Sequence, residues 1–227
     1  MKALIFDVDG TLAETEELHR RAFNAAFRLH GLNWEWDRDS YRDLLTITGG
    51  KERIQHHADV MRAQVAVAAI HADKNRLFAG LTAQGMKLRP GIRHLIAEAR
   101  AAGLHLAVAT TTSPENVEAL SRAVFGKTAG QMFDVIAAGD AVARKKPAPD
   151  VYLLALDQLG VGAGEAVAFE DSANGVRAAR AAGLRVVLSP GIYTRHEPNE
   201  GASLFVTEFS HLGGLAGLQA ALRVAAA

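Results

Sequence analysis

The chain of 227 residues is 49% hydrophobic, which is enough for one large domain or two small ones with a buried core. Its 25 basic and 25 acidic residues cancel, so the composition indicates no charged surface for nucleic acid or for an anionic membrane. The absence of cysteine excludes disulfides and thiolate sites, and it leaves carboxylate and histidine chemistry.

The chain begins with a short apolar run that ends in two acids, Leu4-Ile5-Phe6-Asp7-Val8-Asp9-Gly10-Thr11. The run predicts a buried strand with Asp7 at its carboxyl end, which is where open α/β sheets bind their ligands. Two close carboxylates repel each other unless a cation or a shared proton intervenes, so the pair indicates a site. For this octapeptide alone, an Asp-Gly turn is an equally good explanation. A calcium-binding EF-hand is excluded, because the twelfth position counted from Asp7 is Leu18.

No targeting segment is expected near the start of the chain. The first apolar run is broken by Asp7, and no apolar stretch in the sequence approaches the length of a membrane-spanning helix. We therefore expect neither a signal peptide nor a transmembrane helix, and we expect a cytoplasmic protein.

Residues 14–87 have the apolar spacing of helices rather than of strands. Apolar residues recur at intervals of three and four from Leu18 to Phe27, and Gly31 is a suitable helix stop. Further helices are predicted over 37–46, 51–63 and 67–81. The segment is therefore predicted to be an all-helical insert with a small core of its own.

The sequence from Leu88 onward alternates short apolar strands with amphipathic helices. Strands are predicted over 104–109, 133–138, 166–169, 185–188 and 204–206. Helices are predicted over 89–103, from a Ser113 cap with Pro114 at the first position, over 150–159, over 173–182 and from Glu208 onward. Single helices between buried strands predict a doubly wound parallel-sheet (Rossmann-like) α/β fold that includes the N-terminal strand. The predicted domains are thus a core of 1–13 plus 88–227 and an inserted helical cap of 14–87.

Polar residues follow three further predicted strands at their carboxyl ends. Thr110-Thr111-Thr112-Ser113 offers hydroxyls and backbone amides to an anion before a helix begins. Lys146-Pro147-Ala148-Pro149 fixes the backbone beside a lysine, which favours an inward-facing ammonium group. Glu170-Asp171 repeats the acid pair of the first strand. Taken alone, the first segment is better explained as a turn with a helix cap and the second as a solvated basic loop. Asp171 can be a helix cap, but a cap needs only one acid and two are present.

Taken together, these strand ends predict one site. Two acid pairs, a hydroxyl and a lysine can bind a divalent cation and a phosphate group, with the lysine balancing negative charge. Oxygen ligands without nitrogen or sulfur suit Mg²⁺.

These residues resemble, in order, the four motifs of the haloacid dehalogenase-like hydrolases, namely Asp7-Val8-Asp9-Gly10-Thr11, Thr110, Lys146 and Glu170-Asp171. The segments Lys146–Asp150 and Phe169–Ser172 resemble the sugar-phosphatase and β-phosphoglucomutase branch, which carries a helical cap at the position of this insert. Four more segments resemble the CbbY-type phosphatases of that branch: Glu14–His19, Thr48–Arg53, Ala109–Ser113 and Pro190–His196.

The resemblance implies a reaction through a covalent phosphoenzyme. Asp7 would be the nucleophile, and Asp9 would protonate the leaving sugar oxygen and then accept a proton from water. Thr110 and Lys146 would hold the transferring phosphoryl group. By the same resemblance, Mg²⁺ would be held by the Asp7 side chain, the Asp9 main-chain carbonyl and Asp171, with Glu170 in support.

Substrate choice is expected to lie in the cap, because the core binds the phosphate group that all phosphate esters share. Gly49-Gly50 frees backbone amides, and Lys51 and Arg53 add positive charge, which suits a second phosphate. The same side chains can also be a solvated helix face, and His19 can be a packed core residue. The candidate substrate-binding residues are Glu16, His19, Tyr41, Arg42, Gly49, Gly50, Lys51, Glu52, Arg53, Thr111 and Asn116.

The resemblance also implies the substrate, a small sugar bisphosphate. Xylulose 1,5-bisphosphate, an inhibitor of Rubisco, is favoured, and the functional link to Rubisco rests on resemblance alone. β-Phosphoglucomutase activity or hydrolysis of another sugar monophosphate is an alternative. A phospho-accepting receiver domain would lack an acid two residues after the acceptor and would lack a large lid, so Asp9 and the helical insert argue against it. We expect a monomer.

Overall fold

The chain folds around a parallel β-sheet. The computed structural model describes residues 1–199 and 201–225, and within them six strands pair in the order β3-β2-β1-β4-β5-β6. Each of these pairings is parallel. The strands are β1 (Ala3–Phe6), β2 (His105–Thr110), β3 (Val135–Ala138), β4 (Ala166–Glu170), β5 (Arg185–Leu188) and β6 (Leu204–Phe205). The predicted doubly wound α/β sheet is confirmed.

The N-terminal strand β1 occupies the centre of the sheet. It is buried along its whole length and pairs with β2 on one side and with β4 on the other. Strands β2 and β3 lie on one side of β1, and β4 to β6 lie on the other. The chain therefore adds strands in opposite directions from β1, which is the switch point of the sheet. Ligands of open α/β sheets bind at the carboxyl ends of the strands where this reversal occurs. The ends of β1 and β4 therefore border the expected ligand crevice.

Helices cover both faces of the sheet. The helices that follow residue 88 are α5 (Ile92–Ala101), α6 (Pro114–Phe125), α7 (Ala129–Met132), α8 (Asp150–Leu159), α9 (Ala173–Ala181) and α10 (Gly214–Val224). Apolar residues of α5, α6 and α10, such as Leu95, Leu120 and Leu218, share one core layer with the sheet. Residues of α8 and α9, such as Val151 and Val176, share the opposite layer. The four-residue helix α7 was not predicted.

The C-terminal segment differs from the single helix predicted from Glu208. A short 3₁₀ turn over Phe209–Leu212 comes first, and α10 follows it. Gly213, between the two, and Gly214, the first residue of α10, have φ angles of +67° and +75°, which interrupt helical geometry. The last two residues of the predicted helix lie outside the described residues.

The insert between β1 and β2 is all-helical, as predicted. Its helices are α1 (Glu16–Leu29), α2 (Arg38–Leu44), α3 (Gly50–Val60) and α4 (Val67–Thr82). Phe23, Phe27, Trp36 and Ile54 form an apolar cluster that the helices bury between them. Tyr193, which follows β5 in the chain, also packs against this cluster. The insert therefore has its own core and also touches the α/β layer.

Two chain segments run side by side where the insert leaves and rejoins the core. Ala13 forms an antiparallel bridge with Leu88, and the Arg89 backbone N–H donates to the Leu12 carbonyl at 2.8 Å. We infer from this pairing of the two segments that the domain boundaries lie near residues 13 and 88, which gives a core of 1–13 plus 88–227 and a cap of 14–87.

Within the described ranges, no helix is both long enough and apolar enough to cross a membrane.

Candidate active site

A buried lysine joins the ends of β1 and β4. Lys146 Nζ donates to Asp7 Oδ1 at 2.7 Å and to Glu170 Oε1 at 2.6 Å. The three residues are at most 7% exposed. Burial disfavours the charge on Lys146, but the two carboxylates outweigh it and raise the lysine pKa. Burial also raises the pKa of Asp7 to about 8, against the pull of Lys146. The single positive charge of Lys146 therefore does not fully balance the negative charges of the two carboxylates.

Glu170 is locked in place by groups that the sequence analysis missed. The Tyr152 hydroxyl donates to Glu170 Oε1 at 2.5 Å, and the rest of the carboxylate packs against Gly175 in α9. A Cβ atom at position 175 would lie much closer to the carboxylate oxygens than any van der Waals contact allows. Tyr152 and Gly175 carry no local motif signal, since their role comes only from the packing of α8 and α9 on the sheet.

We expect Gly175→Ala to destabilise the protein by about 1–3 kcal/mol, because the added methyl group displaces the Glu170 carboxylate. The same displacement should lower activity, since Glu170 shares Lys146 with Asp7. Urea unfolding and phosphatase assays measure both effects. Gly164→Ala is the matched control, because a Cβ there meets no described atom within 4 Å. A Gly175→Ala protein as stable and active as wild type would contradict this packing.

Asp171 directly follows Glu170 in the chain and is held by backbone and hydroxyl groups. Its Oδ2 oxygen packs so closely against Gly10 and Gly191 that a Cβ at either position would clash with it. Thr194 Oγ1 lies 3.0 Å from Asp171 Oδ2. The adjacent Ser172 hydroxyl caps α9 by accepting from the Gly175 N–H at 3.2 Å, so Asp171 is not needed as the cap.

The acids at this crevice fit a divalent cation. One carboxylate oxygen from each of Asp7, Glu170 and Asp171 lies within 4.8 Å of the others, and all three residues are buried. Burial, followed by the charges of Asp7 and Glu170, raises the pKa of Asp171 well above its usual range. This accumulation of buried negative charge and oxygen donors is the setting in which a hard cation is stabilised. The predicted metal-binding acids are therefore brought together in the structure.

The Asp9 side chain points away from this acid cluster, toward the cap. Its Oδ1 oxygen accepts from Thr15 Oγ1 at 2.5 Å and lies 2.8 Å from His19 Nε2. Burial alone would raise the pKa of Asp9, but His19 and Thr15 outweigh it and hold this pKa below its usual range. The carboxylate form of Asp9 is therefore favoured in this arrangement.

His19 is buried and stacks on Phe78 of the cap, with ring centroids 3.9 Å apart. Burial and the nearby Lys74 ammonium lower the pKa of His19. Its Nδ1 atom has no hydrogen-bond partner among the described residues. These observations indicate a neutral imidazole that donates its Nε2 proton to Asp9. His19 is thus both a packed residue and a partner of Asp9.

The loop after β2 forms the opposite wall of the crevice. Thr110 is buried, and its Oγ1 accepts from the Thr112 backbone N–H at 3.3 Å. Asn116 Nδ2 donates to Thr112 Oγ1 at 3.2 Å and to Asn75 Oδ1 of the cap at 3.1 Å. Ser113 occupies the N-cap position of α6 as predicted, but its hydroxyl accepts from Asn75 Nδ2 at 3.1 Å and does not cap the helix. Cap and core therefore meet at this loop.

The cap side of the cleft is held by one chain of contacts. Tyr41 donates to Glu16 Oε2 at 2.7 Å, and Arg53 Nη1 donates to the Tyr41 hydroxyl at 3.1 Å. Arg53 Nε and Nη2 donate to the carbonyl oxygens of Leu44 and Ile47. These contacts fix the position of the Arg53 guanidinium beside the cleft.

An open cleft lies between cap and core. Most of the predicted catalytic and substrate-binding residues line it: Asp7, Asp9, Glu16, His19, Tyr41, Gly49, Gly50, Arg53, Thr110, Thr111, Asn116, Lys146 and Asp171. Lys74, which was not predicted, also lines it. Lys74 is 3% exposed, and burial lowers its pKa to about 7 despite the nearby Asp9 carboxylate.

Three predicted substrate-binding residues lie elsewhere. Arg42 is on the outer face of α2 and pairs with Asp39 at 3.0 Å. Lys51 extends across the outside of the cleft to Asp140 Oδ2 at 2.7 Å. Glu52 is exposed, and its carboxylate folds back over Gly49. These side chains point away because a helix turns by about 100° per residue, so neighbours in sequence face different directions.

Comparison with known proteins gives the family. Residues 1–183 match the family described as haloacid dehalogenase-like hydrolase. The chain is 58% identical over 229 residues to protein CbbY of Cereibacter sphaeroides, which covers 99% of this chain and 100% of that protein.

Solved structures agree with the sequence comparison. The crystal structure of CbbY from Rhodobacter sphaeroides in complex with phosphate has a TM-score of 0.92 at 59% identity, over 96% of this chain and 99% of that chain. A mutant of the same CbbY in complex with xylulose 1,5-bisphosphate matches with the same TM-score, identity and coverage. The chain therefore belongs to the haloacid dehalogenase-like hydrolase family, as one of its phosphatases.

Proposed function

We propose that the protein is an Mg²⁺-dependent phosphatase of small sugar phosphates that works through an aspartyl-phosphate on Asp7. The observation that carries the proposal is the convergence of Asp7, Lys146 and Asp171 at the carboxyl edge of the sheet, beneath a helical cap. Its preferred substrate is xylulose 1,5-bisphosphate, the compound bound in the related CbbY structure.

Asp7 is the nucleophile. In the first step its carboxylate oxygen bonds to phosphorus while the bond from phosphorus to the sugar oxygen breaks. Lys146, 2.7 Å from Asp7 Oδ1, stabilises the negative charge on the transferring phosphoryl oxygens, and Thr110 binds them from the opposite wall. In the second step water attacks the same phosphorus, which releases inorganic phosphate and restores Asp7.

Asp9 moves the protons in both steps. It gives a proton to the leaving sugar oxygen and later takes one from the attacking water. In the present arrangement Thr15 and His19 favour its carboxylate form, which suits the second role. For the first role Asp9 must leave these two cap residues and take up a proton near the leaving oxygen. The position of the cap thus decides which form of Asp9 is present.

Mg²⁺ fits the acidic crevice and would be held there by Asp7 and Asp171, with Glu170 behind them and the Asp9 carbonyl as a further ligand. When bound, it neutralises charge on the carboxylates and on the phosphoryl oxygens. Within the protein, Thr194 and the close backbone of Gly10 orient Asp171 for this purpose.

A bisphosphate is favoured by the charge on the cap side of the cleft. Lys74 and Arg53 are buried cations that border the cleft with Gly49-Gly50 close by. A second phosphate there would keep the Lys74 ammonium protonated, against the burial that now lowers its pKa. A sugar with one phosphate leaves this positive charge unmatched, so it should bind more weakly.

A phosphate-release screen across sugar mono- and bisphosphates, with Mg²⁺ and with chelator, tests the proposal. We expect xylulose 1,5-bisphosphate to have the highest kcat/KM and chelator to abolish release. We also expect Mg²⁺ to raise the melting temperature, because it neutralises the buried acids. A preference for monophosphates would remove the substrate assignment and leave the phosphatase. Conversion of β-glucose 1-phosphate without phosphate release would indicate a mutase, and full activity in chelator would contradict the metal site.

A functional link to Rubisco, a monomeric state and a cytoplasmic location remain predictions from the sequence.

A further inference from the structure

The loop over residues 189–197 enters the proposed function only through Thr194, yet it touches both the cap and the acidic crevice. Two adjacent residues make these contacts. Tyr193 extends toward the cap, and Thr194 extends toward Asp171. Both residues are at most 9% exposed, so neither is a solvated loop residue.

Thr194 lies within hydrogen-bond distance of two acceptor atoms of Asp171. Its Oγ1 atom lies 2.7 Å from the Asp171 carbonyl oxygen and 3.0 Å from Asp171 Oδ2. The Gly191 backbone N–H donates to the same Oγ1 at 2.9 Å. With that N–H in one of its acceptor positions, the hydroxyl can donate its single proton to the Asp171 carbonyl oxygen or to Asp171 Oδ2. Partners that orient a ligating carboxylate commonly change metal affinity 10- to 100-fold when removed.

Tyr193 is built into the cap. Its hydroxyl donates to Glu17 Oε2 of α1 at 2.6 Å, and its ring meets the Tyr41 ring edge-on with centroids 5.7 Å apart. The preceding Ile192 N–H donates to the Glu14 carboxylate at 3.1 Å. The middle of the loop is therefore hydrogen-bonded to the first residues of the cap.

The two ends of the loop are tied to the core. Arg89, which lies in the paired segments that join cap and core, donates to the carbonyl oxygens of Ser189 and Pro190 at 2.6 and 3.1 Å. At the other end, Glu197 accepts from the Ala173 N–H at 2.6 Å, at the start of α9. With both ends fixed, a displacement of Tyr193 is passed to Thr194, its immediate neighbour.

We propose that Tyr193 is a positioning residue that transmits the position of the cap to Asp171 through Thr194. This inference rests on the proposed function, because it takes Asp171 as a metal ligand. Its consequence is that the cap contact of Tyr193 supports metal binding even though Tyr193 does not touch the metal site.

Mn²⁺ binding to the substrate-free protein, measured by electron paramagnetic resonance, tests the proposal without using activity. Thr194→Val should weaken Mn²⁺ binding about 10- to 100-fold, and Thr194→Ser should restore it, because serine keeps the hydroxyl. Tyr193→Phe, which keeps the ring and loses the bond to Glu17, should weaken binding about 10-fold, at the lower end of the same range.

Lys51→Met is the matched control, because Lys51 also joins cap to core but contacts Asp140, away from Asp171. It should bind Mn²⁺ as wild type does. Equal weakening in Tyr193→Phe and Lys51→Met would overturn the proposal, since any loosening of the cap would then suffice. Wild-type binding by Tyr193→Phe would overturn it as well.

Asp171→Asn separates this inference from the proposed function. If Asp171→Asn binds Mn²⁺ as well as wild type, the metal site itself is wrong. If Asp171→Asn loses Mn²⁺ while Thr194→Val and Tyr193→Phe retain it, the metal site stands and only the transmission is wrong. Melting temperatures close to wild type confirm that the variants are folded.

Discussion

Asp7→Asn is expected to lower kcat by at least about 10⁴-fold, because an amide oxygen cannot form the covalent phosphoenzyme. The variant should fold normally, since asparagine has the shape of aspartate and keeps an oxygen for Lys146 to contact at the present 2.7 Å. It should also bind the substrate, because the other residues that line the cleft are unchanged.

Steady-state phosphate release and equilibrium binding of the substrate measure the two effects separately. We expect Asp7→Asn to show a large loss in kcat and to bind the substrate as wild type does. A conservative control is Asp140→Asn, which changes an exposed acid that pairs with Lys51 and does not line the cleft. Substantial turnover by Asp7→Asn, beyond any trace of deamidated protein, would remove Asp7 from the role of nucleophile.

Lys146→Met is expected to lower kcat about a hundredfold or more, because it removes the cation that faces the transferring phosphoryl oxygens. It should also cost about 3–5 kcal/mol of stability, since Asp7 and Glu170 would be left buried without their shared ammonium group. Mg²⁺ should recover part of that stability by neutralising the same carboxylates.

Lys145→Met is the matched control for this change. Lys145 is the preceding residue, but its ammonium group contacts the Gly139 carbonyl and Asp140, outside the acid cluster. Kinetics and urea unfolding of the two variants, with and without Mg²⁺, compare them directly. If Lys145→Met loses as much activity as Lys146→Met, the effect belongs to the loop and not to the buried ammonium group.

The sheet and its site could be predicted because both are encoded by short local signals. A buried apolar run followed by acids is visible at β1 and again at β4, and parallel strands bring such ends to one edge. The helices were predicted nearly to their bounds, as at Asp150–Leu159, because apolar spacing and glycine stops are also local. The family resemblance then supplied the order of motifs.

Helix geometry separates two α3 residues that the sequence analysis placed together at the substrate. Lys51 and Arg53 were both assigned to the substrate, but residues two positions apart on a helix face directions about 200° apart. One of the two had to point away from the cleft. The structure shows that Arg53 is the buried one and that Lys51 faces Asp140.

Other residues could not be found from local pattern. Tyr152, Gly175 and Thr194 gain their roles from contacts made across the fold to Glu170 and Asp171. Lys74 lies within a helix of mixed composition, and only packing of the insert on the core makes it a buried cation. The roles of such residues depend on which side chains are close together in the folded protein, and spacing along the sequence does not give these distances.

The most direct test of the central claim is mass spectrometry of the enzyme quenched with acid during turnover of xylulose 1,5-bisphosphate in Mg²⁺. We expect wild type to give a peptide that carries one added phosphoryl group at Asp7. This phosphorylated peptide should be absent from Asp7→Asn and from the chelator-treated enzyme. A phosphoryl group on another residue, or rapid turnover with no phosphorylated peptide under conditions that preserve acyl phosphates, would contradict the central claim.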